Sequence, residues 1–368
     1  MRFIVFYEPS NIYVLDDLNN SATHIVVGNL PVTQFYIPPE IFIQIQSIEY
    51  DAIVLAISSN GKLENILLAL RAANIKKPIV IIRNFTLEKN LPFMSRELFL
   101  TNCVDVLQNG GGEEKPYFVH IETHVCDHCN LNCKACNNFA PFVREKSCAS
   151  IEQWESDIAR LANVYQIGRI LLLGGEPLLE PKLAEEFIQV TRKYAPSSEI
   201  RLLTNGLLIP SMSEDFFETL VKNHVILSIT VYIPTMNIMP KIWDVLDSHG
   251  VQYLYHKMTA FCKRLNLTPG EDISQNHTRC GSGGCHYMRD GYISKCPDAL
   301  TVTYMDNFFG TNFKSRCNIP LNEVEQNPIL ALQKLNAPID MCRYCSNRMV
   351  GIPWEPVKGN LKAEDWII

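Results

Sequence analysis

The chain has 368 residues, a formal net charge of −6 at pH 7, 47% hydrophobic residues and 20% charged residues. This length predicts two or three domains of roughly 150 residues, and the balanced composition excludes collagen-like, low-complexity and wholly disordered proteins. No lysine- or arginine-rich run is present, which argues against a nucleic-acid partner. No apolar stretch approaches the ~18 residues that span a bilayer or resembles a secretory signal, so we expect a cytoplasmic protein without a membrane partner.

Residues 1–108 predict a small parallel α/β, Rossmann-like domain. Apolar patterning predicts four strands, at 4–7, 24–27, 52–57 and 78–82. Helical spacing predicts one helix, at 62–73, between the last two strands. A strand, a helix and a strand joined by short links are typical of a βαβ unit. The turn at 58–61 ends the third strand, where a ligand can bind against a helix N-terminus. Because the glycine fingerprint of nucleotide loops is missing, a capped turn is the simpler interpretation.

Residues 109–116 are a linker by composition, and a second α/β region follows at 117–265. Five predicted strands alternate there with four predicted helices. The strands are 117–125, 169–173, 199–203, 225–231 and 251–255, and the helices between them are 151–164, 182–194, 214–223 and 241–249. This alternation predicts a parallel array, either an open sheet or a barrel, with its site at the carboxyl ends of the strands. Residues 266–368 form a third, loop-rich region in which cysteines recur.

The chain has 13 cysteines, and disulfide bonds do not account for them in a reducing compartment, where disulfides are rare. Surplus cysteine there indicates metal binding or catalysis. Lone cysteines default to small buried hydrophobic residues, which is our expectation for Cys103 and Cys148.

Three cysteines with the spacing CxxxCxxC, Cys129, Cys133 and Cys136, follow the strand at 117–125 directly. Three thiolates on one loop can hold a four-iron cluster and leave one iron open. The alternative is a structural zinc site, with Cys126 or His128 as the fourth ligand.

Polar motifs end the next strands and face the cysteine loop. Gly174-Gly175-Glu176-Pro177 ends the second strand of this region, and its two glycines let backbone approach a ligand closely. Glu176 can accept hydrogen bonds from an ammonium group. The third strand ends at Thr204-Asn205, and the fourth contains Ser228.

Together, the CxxxCxxC loop and the GGEP motif resemble the radical S-adenosylmethionine (radical SAM) superfamily. The resemblance covers residues 117–265 and implies a partial (β/α)6 barrel. It also implies that Cys129, Cys133 and Cys136 hold a [4Fe–4S] cluster whose open iron binds the amino and carboxylate groups of SAM. The same resemblance places the GGEP residues at the SAM amino group, and Ser228, Thr204 and Asn205 near its ribose and carboxylate. Many members carry an aromatic residue where this chain has Ala135, so adenine contacts at that position are not expected.

A second set of cysteines, Cys280, Cys296, Cys342 and Cys345, has the pattern CX10GX4C…CX2C. Four thiolates in two pairs suit either a closed zinc site or a second iron–sulfur cluster. The pattern resembles the twitch domain, a shortened SPASM domain of radical SAM enzymes, which implies one auxiliary [4Fe–4S] cluster. Cys285 is a possible replacement for Cys280, and Cys317 has no assignment.

An auxiliary cluster favours a radical SAM oxidoreductase that dehydrogenates a small polar substrate, such as a sugar or a nucleotide-linked sugar. A one-electron reductant such as flavodoxin or ferredoxin would supply the electron that the family's chemistry needs. The alternatives are a peptide or protein maturase, an epimerase, and a non-catalytic zinc-binding protein. Cys262, just past the fifth strand of the second region, is a candidate hydrogen donor to a substrate radical.

Histidines and aromatic residues recur around these cysteines. His120 and His124 share one face of the strand at 117–125 and lie either in the interior or on an exposed rim. His128 follows in the loop. Trp354 and Pro353 are expected to pack the C-terminal tail against the barrel and not to bind substrate.

Overall fold

The computed structural model describes residues 1–19, 25–33, 37–82, 104–107, 115–280, 284–313 and 318–368. The chain forms two compact units, one of Met1–Val119 with Val164–Gly168, the other of His120–Asn163 with Arg169–Ile368. Cys103, Cys317 and most of the expected linker lie outside the described residues. Within those residues, no helix is long and apolar enough to cross a membrane. The three domain boundaries inferred from the sequence stay predictions.

The first unit contains a five-stranded sheet in the order β2-β1-β3-β4-β5. The strands are β1 (Arg2–Tyr7), β2 (Ile25–Pro31), β3 (Ala52–Ala56), β4 (Ile79–Ile82) and β5 (Val104–Leu107). β1 to β4 pair in parallel, which confirms the parallel sheet, whereas β5 is antiparallel to β4. The helices are α1 (Ile12–Asn19), α2 (Pro39–Gln46) and α3 (Asn60–Ala72). Only α3 is predicted from the sequence, since α1 and α2 have eight residues each and show a short apolar period.

Alternating side chains of this sheet build two separate cores, because successive residues of a strand point to opposite faces. Phe3, Val5 and Tyr7 of β1 pack with Val14 and Leu15 of α1. Ile4 and Phe6 of the same strand pack on the other face, against α2 and α3. The first unit is therefore a sheet between helical layers.

The turn after β3 is capped from within the protein. The buried carboxylate of Glu8 accepts hydrogen bonds from the backbone N–H of Ser58 at 2.8 Å and of Ser59 at 3.2 Å. Lys62 Nζ lies 2.9 Å from the same carboxylate, and the Ser59 hydroxyl caps α3 by accepting from Lys62 N–H. The amides that would bind an external anion are already occupied, which supports the interpretation as a capped turn.

The second region contains an eight-stranded sheet in the order β10-β9-β8-β7-β6-β12-β13-β14. Its strands are β6 (Tyr117–Cys126), β7 (Gln166–Gly174), β8 (Glu199–Thr204), β9 (Val225–Val231), β10 (Tyr253–Lys257), β12 (His286–Arg289), β13 (Tyr292–Ser294) and β14 (Asn318–Pro320). β7 to β10 pair in parallel, so the expected parallel array is confirmed. This order is linear, and closure into a partial (β/α)6 barrel stays a prediction.

Helices follow the parallel strands as expected from the sequence. The structure has α4 (Ile151–Val164), α5 (Pro181–Tyr194), α6 (Glu214–Lys222), α7 (Ile233–Met236) and α8 (Met239–Ser248), of which only the four-residue α7 is not predicted from the sequence. The Trp154 ring stacks on Phe187 with centroids 5.5 Å apart, and Trp154 Nε1 donates to Thr191 Oγ1 at 3.0 Å. These contacts join α4 to α5 through both an apolar surface and a satisfied indole N–H.

The last hundred residues are richer in short elements than the sequence suggests. They comprise α9 (Ile273–Arg279), α10 (Asp298–Thr301), α11 (Thr303–Phe309), α12 (Leu321–Gln326) and α13 (Pro328–Asn336), with β11 (Ala260–Leu265) and β15 (Cys345–Pro353). β11 and β15 pair antiparallel as a separate two-stranded sheet. β12 is parallel to β6 and forms an antiparallel hairpin with β13.

Candidate functional site: two groups of cysteines in the second unit

The ends of β6 and β7 approach each other so closely that two glycines are required. A Cβ atom on Gly174 would lie 1.9 Å from the carbonyl oxygen of Cys126, and one on Gly175 would lie 2.1 Å from that of His128. The backbone also pairs here, since Gly175 N–H donates to Cys126 O at 2.9 Å and Glu176 N–H to His128 O at 3.0 Å. The GGEP motif thus fixes the start of the cysteine loop against β7.

The thiols of Cys129, Cys133 and Cys136 line one cleft together with Gly174 and Gly175. Burial raises the pKa of each thiol, to about 12 for Cys133, and the charge of Cys136 raises the pKa of the Cys129 and Cys133 thiols further. The three sulfur atoms are free of disulfides and converge on one space. A set of three thiolates at a cleft suits an iron–sulfur cluster with one iron left for another ligand.

The two candidate fourth ligands of a zinc site, Cys126 and His128, have other partners. The Cys126 thiol donates to the backbone oxygen of Glu176 at 3.2 Å, and His128 Nε2 lies 3.2 Å from the carboxylate of Glu180. Neither Cys126 nor His128 lines the cleft. Because a structural zinc site needs four protein ligands, the structure does not favour the zinc alternative at this group.

A buried ion network fixes the strand that leads into the cysteine loop. Asp127 Oδ1 lies 2.8 Å from His124 Nδ1 and 2.7 Å from Arg289 Nη1. Burial raises the pKa of the Asp127 carboxyl, but the hydrogen bonds from His124 and Arg289 outweigh this and hold its pKa well below its usual range. His120 and His124 are both buried, so the expectation of an exposed rim is wrong.

Glu176 acts within the protein as a link between strand ends. Its fully buried carboxylate accepts hydrogen bonds from Asn205 N–H at 2.7 Å, the Thr204 hydroxyl at 2.7 Å and Leu178 N–H at 3.0 Å. Burial raises its pKa to about 7, although these three donors partly offset the effect. Glu176 does not line the cleft, so its carboxylate orients the end of β8, and a direct contact with SAM stays a prediction.

The other sequence-derived residues divide between the cleft and the protein interior. Thr204 and Asn205 line the cleft, and Asn205 Nδ2 lies 3.9 Å from Cys129 Sγ. Pro177 and Ser228 are buried and do not line it. Their assignment to SAM stays a prediction that this arrangement does not support directly.

Sequence reasoning misses two polar residues of the cleft, Asn138 and Tyr232. Asn138 Nδ2 donates to Gly174 O at 2.8 Å and so joins the cysteine loop to β7. Tyr232 follows β9 directly, and the same strand-end rule that selects Asn205 would have found it. Asn138 has no such signal beyond lying two residues after the last cysteine of the motif.

The C-terminal tail pairs with the cysteine loop, as expected for Trp354. Trp354 Nε1 donates to Cys133 Sγ at 3.2 Å, and Lys134 N–H donates to Glu355 O at 3.0 Å. Val357 N–H donates to Asn132 O at 2.7 Å. The tail therefore orders the loop that carries the three thiols and donates a hydrogen bond to one sulfur atom.

The structure does not support Cys262 as a hydrogen donor, and Cys148 is not a packed thiol. Both cysteines are exposed. Cys262 lies on β11, where alternation places its neighbour Phe261 in the apolar cluster beside Cys133 and Trp354 and turns Cys262 away from it. Cys262 does not line the cleft, and its role as a hydrogen donor stays a prediction that this arrangement does not favour.

The second cysteine set converges in a separate part of the same unit. Cys280 follows α9 and Cys296 follows β13. Cys342 lies in the short helical turn Asp340–Arg343, and Cys345 begins β15. The burial of Cys345 raises the pKa of its thiol to about 12, with smaller contributions from the thiols of Cys280 and Cys342. Cys296 is likewise raised by burial and affected by Cys345 and Cys280. Cys345 therefore interacts electrostatically with each of the other three thiols.

Two side chains hold this second set together. Asn276 on α9 donates from Nδ2 to the carbonyl oxygens of Cys342, at 2.9 Å, and of Cys345. The Arg264 guanidinium pairs with Asp298. Burial lowers the pKa of Arg264, but Asp298 and the thiolates of Cys296 and Cys345 raise it above its usual value, so the guanidinium stays charged. Its positive charge also lowers the pKa of Cys136, which belongs to the first set.

Comparison with known proteins links the segment that carries this cleft to a superfamily. Residues 123–266 match the family model of the radical SAM superfamily. This matched segment is less than half of the chain and contains both the cysteine loop and the GGEP motif. Enzymes of this superfamily bind a [4Fe–4S] cluster and SAM, and the thiols of Cys129, Cys133 and Cys136 fit the cluster.

Curated relatives are similar to part of this chain. A protein of Clostridium acetobutylicum named GTP 3',8-cyclase is 28% identical over 160 residues, or 41% of this chain and 45% of that protein. A GTP 3',8-cyclase of Aquifex aeolicus is 32% identical over 123 residues, or 32% of this chain and 35% of that protein. The chain spans less than half the length of these relatives.

Solved structures show weaker likeness. BtrN in complex with AdoMet and 2-DOIA has a TM-score of 0.40 at 16% identity and covers 64% of this chain and 94% of that one. Native anSMEcpe with bound AdoMet has a TM-score of 0.31 at 17% identity, over 37% of this chain and 43% of that one. Neither likeness bears on the substrate or the reaction.

Gly175→Ala tests the close approach of β6 and β7. The added Cβ meets the His128 carbonyl, which is backbone and cannot move aside, so we expect a loss of about 1–3 kcal/mol in the free energy of unfolding. Urea unfolding measures the change. Gly270→Ala is the matched control, since a Cβ there meets nothing within 4 Å. Equal stability of the two variants would contradict the steric argument.

Glu176→Gln tests the buried carboxyl. Since its pKa of about 7 in the folded protein exceeds the unfolded value of 4.5, the native state binds the extra proton and loses stability as pH rises through 7. Between pH 5.5 and pH 8 the wild type should lose about 2 kcal/mol relative to Glu176→Gln. Urea midpoints of both proteins across this range give the difference. Parallel pH profiles would show that Glu176 titrates at its ordinary pKa.

Proposed function

We propose that the protein dehydrogenates a small polar, carbohydrate-like substrate, with a second [4Fe–4S] cluster as the electron acceptor. The observation that carries this proposal is the pair of separate cysteine groups in one unit. Three thiols line the strand-end cleft, and four more lie elsewhere, where the charges of Cys280 and Cys342 raise the pKa of Cys345 and the charges of Cys280 and Cys345 raise that of Cys296. Four thiolates complete a cubane without leaving an iron open, which suits a cluster that only transfers electrons.

The cofactors, when bound, supply a 5′-deoxyadenosyl radical that abstracts a hydrogen atom, and the second cluster takes the electron that the substrate radical gives up with a proton. The chain's own residues hold and shield these groups. We propose that Gly174, Gly175, Thr204 and Asn205 bind SAM at the cleft, while Glu176 orients the last two. The Arg264 charge, which affects both thiol groups, stabilises the electron-rich state of each.

The substrate class rests on the polar lining of the cleft. Asn138, Asn205 and the Tyr232 hydroxyl offer hydrogen-bond donors and acceptors beside the thiols. The first unit gives no support for a nucleotide-linked substrate, because Glu8 already occupies the amides at the end of β3. We therefore favour a free sugar-like molecule over a nucleotide-linked one.

Rival reactions have less support. An epimerase needs a hydrogen donor at the substrate, and Cys262 is exposed and absent from the cleft. A peptide or protein maturase stays open as the alternative.

The relatives named GTP 3',8-cyclase match less than half of their length, so their substrate does not transfer to this chain. A one-electron reductant and a cytoplasmic location remain part of the proposal.

Deuterium transfer tests the substrate class. The anaerobic holoenzyme is incubated with SAM, a reductant and, in turn, deuterated sugars, amino sugars, nucleotide sugars and a deuterated peptide pool. We expect deuterium in 5′-deoxyadenosine only with the small carbohydrate-like compounds. Deuterium from the peptides alone would establish the maturase alternative.

Cys342→Ala separates the two cysteine groups once a substrate is found. We expect the variant to cleave SAM and abstract deuterium but to form no product oxidised by two electrons, because the acceptor is lost. Cys129→Ala should abolish SAM cleavage itself, and Cys148→Ala, an exposed cysteine outside both groups, is the matched control. Normal product formation by Cys342→Ala would refute the role of the second cluster.

A further inference from the structure

A third group of side chains that are able to bind a metal ion lies where β6 pairs with β12. His120 and Glu122 are two residues apart on β6 and therefore share a face. β12 is parallel to β6 and begins with His286 opposite Ile121. Cys285 precedes His286 by one residue, which puts it level with His120 and on the same face as His120 and Glu122. One ligand atom from each of the three residues lies within 4.8 Å of the other two.

His120 and Glu122 are buried and Cys285 is half-buried, and the polar atoms of the group are only partly used. His120 is 5% exposed and Glu122 is 9% exposed. His120 Nε2 lies 3.0 Å from Glu122 Oε1, and the Cys285 thiol also faces the Glu122 carboxylate. Within the described residues, the buried His120 Nδ1 has no hydrogen-bond partner. A buried imidazole nitrogen left without a partner is costly unless another group binds there.

We propose that His120, Glu122 and Cys285 bind a Zn²⁺ ion, separate from both iron–sulfur sites. One imidazole nitrogen, one carboxylate oxygen and one thiolate are each zinc ligands, whereas Mg²⁺ and Ca²⁺ require mostly oxygen. Spacing below 4.8 Å allows three ligands around one ion with bonds of ~2.0–2.3 Å. A zinc ion would also neutralise the buried carboxylate and thiolate, and three protein ligands leave one coordination position open.

The proposed ion has a clear structural consequence. It would tie the first strand of the parallel array to the hairpin that precedes Cys296, and so brace the segment between the two iron–sulfur sites. The competing interpretation is that Cys285 is a ligand of the second iron–sulfur cluster in place of Cys280, whose thiol affects the pKa of Cys285. The zinc proposal does not depend on the reaction proposed above.

X-ray absorption at the zinc edge of the iron-loaded holoenzyme, after chelation and addition of Zn²⁺, distinguishes these alternatives, because iron does not contribute there. We expect about one zinc per chain, with one sulfur ligand at ~2.3 Å and nitrogen or oxygen ligands at ~2.0 Å. Cys285→Ser and His120→Ala should lose zinc and keep the iron content of the wild type. Cys148→Ala should retain both metals.

Thermal unfolding keeps the test valid if a variant is less stable. Added Zn²⁺ should raise the melting temperature of the wild type and of Cys148→Ala, and leave that of Cys285→Ser unchanged. The proposal is overturned if the wild type binds no zinc, if its zinc has no sulfur ligand, or if Cys285→Ser loses iron instead. Loss of iron would assign Cys285 to the cluster.

Discussion

The contact between the ends of β6 and β7 determines where the first cysteine group lies. Gly174 and Gly175 pack against the carbonyl oxygens of Cys126 and His128 at distances that exclude any side chain. Two backbone hydrogen bonds fix the register across this contact. Because the cysteine loop begins at the next residue, the positions of Cys129, Cys133 and Cys136 follow from this one approach. The tail that carries Trp354 then covers the loop from the other side.

Buried charge organises the rest of the unit. Glu176 gathers the backbone and hydroxyl donors at the end of β8, and Asp127 gathers His124 and Arg289 at the end of β6. A buried carboxylate is tolerated only where donors or cations satisfy it, so each of these groups requires its partners in place. Arg264 is a buried cation near both cysteine groups. Its positive charge lowers the pKa of the Cys136 thiol in the first group and of the Cys296 thiol in the second.

Sequence periodicity predicts the parallel part of the fold closely. The predicted helix at 151–164 and strand at 225–231 coincide with α4 and β9, and most other bounds differ by a few residues. Long periodic segments are predictable because one face must be buried. The short helices α1 and α2, and those after residue 270, were missed because segments of nine or fewer residues show little apolar period.

The candidate site is predictable in its residue types and less so in their roles. The spacing of the cysteines and the GGEP motif locates the cleft, and Thr204 and Asn205 follow from the strand-end rule. That Glu176 turns inward, that Cys262 turns outward and that Asn138 reaches Gly174 depend on side-chain directions set by tertiary packing. The juxtaposition of His120 and Glu122 with Cys285 depends on the pairing of β12 with β6, which no local pattern predicts.

The central claim is that one chain holds two separate iron–sulfur clusters, and counting iron and acid-labile sulfide tests it most directly. The anaerobically reconstituted wild type is compared with the triple variant Cys129→Ala/Cys133→Ala/Cys136→Ala and with the double variant Cys342→Ala/Cys345→Ala. Two cubanes predict about eight irons per chain for the wild type and about four for each variant. About four irons in the wild type, falling to none in the triple variant and unchanged in the double variant, would contradict the claim and remove the proposed electron acceptor.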